Sequence, residues 1–233
     1  GITSSNGSVT LSGYTSSTNA GYYGIYSNAK DVVATNGSVA FQGATINSSS
    51  AGSGYLVNAG AALNGATPAP IFATADAANM AMANTYGLYW TGKVTANTTN
   101  GYIQIAAKTP YVSGVMTSYG LALLSTNQNY SLTGANAVAS LTANIGTGSL
   151  NYTNANPLNI GSYNGIVGIT AASVTLTAGG LTDTADASIT VTNASTISIN
   201  NAANSYDYSG VIAGPVTLTK SGAGTQSLTA AST

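Results

Sequence analysis

Apolar residues recur along this chain at every second position in short runs bounded by Gly and Asn. Val9-Thr10-Leu11, Val39-Ala40-Phe41, Ile103-Gln104-Ile105, Val174-Thr175-Leu176, Ile189-Thr190-Val191 and Val216-Thr217-Leu218 all follow this pattern. A period of two puts one set of side chains on each face of a strand, so each run predicts a half-buried β-strand. Most of the intervening residues are Thr and Ser, and the apolar ones are largely β-branched, as a pleated surface prefers. Gly- and Asn-rich punctuation limits each strand to about five residues.

The runs recur at a distance. Asn-Gly occurs at Asn6, Asn36, Asn64, Asn100 and Asn164, with gaps of 30, 28, 36 and 64, and the first two extend to the same word, Asn-Gly-Ser-Val. A second word is shared by Tyr23-Gly24-Ile25-Tyr26, Tyr86-Gly87-Leu88-Tyr89 and Tyr119-Gly120-Leu121. Asn-Gly also marks hairpin turns, which leaves an antiparallel sandwich or a donor-strand, pilin-like domain as the alternative. A drifting period near 30 with short strands predicts an all-β solenoid, a parallel β-helix spanning residues 1–233. With roughly 25 to 30 residues per coil it has about eight coils, each stacking about 4.8 Å above the last. Asn, Ser and Thr at the turns are expected to form hydrogen-bonded ladders. Residues 44–92 fit least and are expected to form an irregular excursion. Thr67-Pro68-Ala69-Pro70 breaks regular structure there, and the Ala-rich stretch from Asp76 allows one short helical insert within 74–84, an irregular coil being the alternative.

Composition narrows the function. Four Lys and five Asp are the only charged residues, 4% of the chain, and the net charge of −1 offers no field for nucleic acid or anionic lipid. The chain has no His, Cys, Arg or Glu, which removes most transition-metal sites, thiol nucleophiles and Ser-His triads. At 44% hydrophobic residues with 15 Tyr, it is too apolar for a disordered segment. No run of apolar residues is long enough for a membrane-spanning helix. The opening Gly1-Ile2-Thr3 has neither an initiating Met nor a basic leader, as expected of a mature or excised piece.

The last coil carries a resemblance. Residues Tyr208 to Thr229, 22 of the 233, resemble the autotransporter-associated β-strand repeat, whose pattern is approximately Y-S-G-x-I-x-G-x-G-x-L-x-K-x-G-x-G-T-x-x-L-x. Tyr208, Gly210, Ile212, Gly214, Leu218, Lys220, Gly222, Gly224, Thr225 and Leu228 match it; Pro215-Val216 and Gln226-Ser227 depart from it. More loosely, words such as Ala172-Ser173-Val174-Thr175-Leu176-Thr177 are similar to the repeat regions of filamentous-haemagglutinin-type exoproteins. The resemblance implies a right-handed β-helix, secreted through a bacterial outer membrane and displayed or released as an adhesin or stalk. It implies no catalytic residues and no cofactor.

The expected function is therefore that of a bacterial extracellular structural protein, a segment of an adhesin or surface filament. The alternative is a self-polymerising filament subunit joined by strand addition. Neither terminal segment is polar enough to cap a solenoid, so both ends are expected to meet further β-structure, from the same polypeptide or another copy. An enzyme acting on polysaccharide needs paired carboxylates or a carboxylate with a base. Asp183 and Asp186 are the only close acidic pair, and they fit a polar turn better. A weak calcium site at that turn is the other use of them, although the Gly-Gly-x-Gly-x-Asp word is missing. Ice binding enters through the Thr-x-Thr units at Thr175, Thr190 and Thr217. Their uneven spacing, 15 and 27, argues against a stacked array, and Thr is in any case a good outward strand residue. Tyr22, Tyr23, Tyr26, Tyr86, Tyr89 and Trp90 are candidate carbohydrate contacts, against the plainer role of aromatic rings that cap a core. Glycan surfaces follow as candidate partners; catalytic residues and a metal site are expected to be absent.

Overall fold

The computed structural model describes residues 2–4, 9–13, 25–28, 32–34, 39–43, 46–49, 71–75, 88–90, 94–96, 98–99, 101–107, 110–184 and 186–230. The chain divides into two compact units, Gly1–Tyr119 and Gly120–Thr233. Among the described residues there is no helix, and almost every strand pairing is parallel. The fold is a parallel β-helix.

The first unit contains β1 (Ile2–Ser4), β2 (Val9–Gly13), β3 (Ile25–Asn28), β4 (Val32–Ala34), β5 (Val39–Gly43), β6 (Ile46–Ser49), β7 (Ile71–Ala75), β8 (Leu88–Trp90), β9 (Val94–Thr95), β10 (Tyr102–Ala107) and β11 (Pro110–Val112). β12 (Met116–Leu123) crosses the boundary between the units. β2, β5, β7 and β10 stack in that order, and so do β3, β6, β8 and β11. The two Asn-Gly-Ser-Val words do mark successive coils, because Val9 pairs with Val39, 30 positions on. Ile71 pairs with Ile103 after 32. The helix allowed within 74–84 falls mostly outside the described residues; Thr74 and Ala75 end β7.

The second unit contains β13 (Tyr130–Asn144), β14 (Ser149–Asn154), β15 (Leu158–Ile160), β16 (Ser162–Tyr163), β17 (Ile166–Val167), β18 (Ile169–Ala171), β19 (Ser173–Ala178), β20 (Leu181–Asp183), β21 (Ile189–Val191), β22 (Ser195–Asn200), β23 (Ser205–Tyr208), β24 (Ile212–Ala213), β25 (Val216–Ser221) and β26 (Thr225–Leu228). Its longest stack is β13-β14-β19-β22-β25, with β13-β18-β21-β24 and β13-β15-β20 on other sides of the coil. Coils here are shorter than expected. Leu150 pairs with Val174 after 24 positions, Thr175 with Thr196 after 21 and Ser205 with Thr225 after 20. The Asn-Gly at Asn164 is no coil marker. Asn164 (φ 47°) and Gly165 (φ 79°) turn the antiparallel hairpin β16-β17, because both central positions need the left-handed region.

The longest stacks are four strands deep in the first unit (β2, β5, β7, β10) and five in the second (β13, β14, β19, β22, β25), against about eight coils expected for the chain. Some turns in the first unit use more chain than assumed, as between Ile46 and its partner Leu88, 42 positions on. The inward rows form the core of each unit. In the second unit Tyr152, Leu176 and Ile197 occupy one row and are fully buried. Burying a Leu or Ile side chain contributes about 1.5–3 kcal/mol.

The expected turn ladders are present as buried asparagines. Asn136, 0% exposed, donates through Nδ2 to the carbonyls of Leu132 (2.9 Å) and Thr153 (2.9 Å). Asn154 and Asn201 do the same work at later corners, Asn201 donating to the carbonyls of Asn204 (2.7 Å) and Thr225 (2.9 Å). A side-chain amide carries both donors and acceptors, so it can satisfy backbone groups where the chain turns out of the ladder.

Candidate functional site

The aromatic candidates separate by register. Tyr26, Asn47, Tyr89 and Tyr111 share one row of the β3-β6-β8-β11 stack. Tyr111 is 40% exposed and its neighbour Val112 is buried. Trp90 pairs in register with Val112, one position along from that row. Of the six aromatics singled out in the sequence, Tyr26 and Tyr89 share a row and Trp90 does not join them. Tyr22, Tyr23 and Tyr86 lie outside the described residues. Tyr111 was not singled out, because nothing local shows that it falls in register with Tyr89 from 22 positions away. In the same unit Tyr102 and Tyr119 meet edge to face, ring centres 5.6 Å apart.

Asp183 and Asp186 do converge, on a hydroxyl. Ser209 Oγ lies 2.8 Å from Asp183 Oδ2 and 3.1 Å from Asp186 Oδ1, and the Ser209 amide donates to Asp183 Oδ1 at 2.7 Å. All of these bonds are exposed to solvent. They tie the turn after β20 to the turn after β23, as a polar turn would. Among the described residues no three His, Cys, Asp or Glu gather in one place.

The coil that carries the repeat pattern explains its own residues. Tyr208 is fully buried and donates its hydroxyl to the Ala187 carbonyl, 2.7 Å away in the coil before. Burial, and then the nearby Asp183 carboxylate, push this phenol well above the ordinary tyrosine range. Gly210 follows at a point where the two coils nearly touch: a Cβ there would sit 2.1 Å from the Ala187 oxygen. Gly222 turns with φ +80° against the Asn201 carbonyl, a conformation that L side chains rarely adopt. Gln226, a departure from the pattern, reaches back 45 positions. Its amide accepts from the Leu181 N–H (2.8 Å) and donates to the Leu181 carbonyl (2.9 Å).

The end of the second unit leaves core positions open. Leu218 continues the buried row of Tyr152, Leu176 and Ile197 yet is 39% exposed, and Leu228 in β26 is 37% exposed. Lys220 folds its ammonium onto the Gly222 carbonyl at 2.7 Å rather than over that row.

One surface corrects the sequence expectation. Thr175-x-Thr177 and Thr217-x-Thr219 do stack, with Thr196-x-Ser198 between them. The intervals of 15 and 27 misled because Thr190-x-Thr192 belongs to a different side of the coil, where Thr190 pairs with Thr170 and Ala213. Measured along one stack the repeat is regular, 21 positions each time. Ser198 and Thr219 are close enough to hydrogen-bond across strands, Oγ to Oγ1 3.1 Å.

No family model, no curated protein and no solved structure matches this chain, so the geometry above carries the functional argument.

Proposed function

We propose that this chain is a structural segment of a bacterial extracellular adhesin or surface filament, built and extended by coil stacking. The observation that carries the proposal is the open row at β25. Three fully buried side chains are followed in register by Leu218 at 39% exposure, with the N–H and C=O groups of β25 presented along one edge. Such an edge templates further pairing, and a stacked coil from the same polypeptide or a second copy completes it. The repeat resemblance of residues 208–229 supports the secreted, bacterial setting, since Tyr208, Gly210 and Gly222 each serve the contact with the preceding coil. Four Lys, five Asp and no His, Cys, Arg or Glu support a non-catalytic role without cofactor or metal. The second reading, a self-polymerising subunit joined by strand addition, is favoured by the same open edge.

Sedimentation of the 233-residue chain over a range of concentrations tests the proposal. Association that rises with concentration and is abolished by Leu218→Lys is expected. A monomer at high concentration, with slow amide exchange in β25 and β26, overturns it. A gene product several times longer than this chain selects the adhesin segment; one near this length selects the filament subunit.

A further inference from the structure

We propose that the outward face of the β13-β14-β19-β22-β25 stack binds ice. Two neighbouring rows make this face. The first runs through Thr175, Thr196 and Thr217, the second through Thr177, Ser198 and Thr219. The first row continues backwards through Asn151 to Ser131, the second to Thr153. Parallel pairing fixes the spacing in both directions, about 4.8 Å from strand to strand and about 6.6 Å from one outward residue to the next along a strand. The result is a two-dimensional lattice of hydroxyl and amide groups, with repeats close to those of the oxygen layers of ice.

The chemistry of the face points the same way. No position in either row is charged, so no side chain holds a tight hydration shell of its own that a growing crystal must break. Neither row holds an aromatic ring, which distinguishes this face from a sugar-stacking platform. Thr presents a methyl beside its hydroxyl, and branching at Cβ restricts χ1. The hydroxyls are therefore held in place before binding, with little entropy left to lose. Beneath them Leu176 and Ile197 are fully buried, so the sheet under both rows is seated on the core. Other sides of this unit break the lattice: Thr170 and Thr190 are followed by Ala213, and β20 carries the Asp183 carboxylate. The inference stands whether the chain serves as an adhesin segment or a filament subunit.

The test is partition of the fluorescently labelled 233-residue chain into slowly growing ice, with an unrelated globular protein as reference. The chain is expected to enter the ice while the reference is excluded. Thr175→Tyr keeps a good strand former but raises a ring from the middle of the first row, and is expected to cut partition about tenfold or more by clash with a flat surface. Thr217→Tyr on exposed β25 should act alike, without disturbing the core beneath. Thr190→Tyr, exposed on another side, should partition as the parent does. Exclusion of the parent chain overturns the inference, as does undiminished entry of both row variants. Capture on insoluble cellulose or chitin that Thr175→Tyr abolishes, with no entry into ice, overturns it in favour of a neutral glycan. Leu218→Lys, which tests coil stacking, leaves both rows intact, so the two proposals fail separately.

Discussion

Replacing Asn154 by Ala tests the corner ladder most directly. Asn154 is 3% exposed and serves several neighbours at once. Its Oδ1 accepts from the Val138 N–H (3.1 Å) and from the Tyr152 hydroxyl (3.1 Å), while Nδ2 donates to the carbonyls of Val138 (2.9 Å) and Asn156 (3.0 Å). The Asn156 carbonyl keeps a second donor, the Gly179 N–H at 3.2 Å. The groups at risk are the Val138 amide and carbonyl and the Tyr152 hydroxyl, all in the interior of the coil. A buried polar group left without a partner costs about 1–3 kcal/mol, and the three together with some relaxation come to about 3–5 kcal/mol. That is a large part of the stability of an ordinary domain, about 5–15 kcal/mol.

Because the chain has two compact units, a single global midpoint is a poor measure. Urea unfolding should be followed together with hydrogen exchange of the Val138 amide. The expected result is a loss of about 3–5 kcal/mol with Val138 exchanging fast. Tyr152→Phe alone should cost about 1 kcal/mol, and the double variant less than the sum, because Phe removes one of the orphaned groups. A loss under about 1 kcal/mol with Val138 still protected would refute the view that side-chain amides close the ladder at the corners.

Two further outcomes follow from the same geometry. Gly210→Ala brings a Cβ against the Ala187 carbonyl, a backbone atom that cannot swing away, and should destabilise the last coils by about 3 kcal/mol or more, read as fast exchange in β23 and β26 with β14 unchanged. Burial pushes the phenols of Tyr130, Tyr152 and Tyr208 well above the usual range. The folded state therefore holds protons that the unfolded chain releases near its ordinary value of about 10, so stability should stay level up to about pH 9 and fall as pH rises further. Absorbance titration at high pH should show these three ionising only as the chain unfolds.

Alternation and punctuation determined the fold class locally. Val174-Thr175-Leu176 and Ile189-Thr190-Val191 bury every second residue because a strand has no other way to separate its faces, and no neighbour is needed to know it. The corner asparagines and the tight glycines of residues 208–229 were legible as types, though not as contacts. What the tertiary structure alone decided is register. Which strand lies on which depends on how much chain each turn consumes, and that varies here from 18 to 42 positions. Thr190-x-Thr192 looks like its neighbours at Thr175 and Thr217 in one dimension, yet only the other two share a stack. Tyr89 and Trp90 are adjacent in the chain, yet Tyr89 falls in register with Tyr111 and Trp90 with Val112. A sequence records distance along the chain, while a binding surface on a β-helix is assembled across it, one residue from each coil.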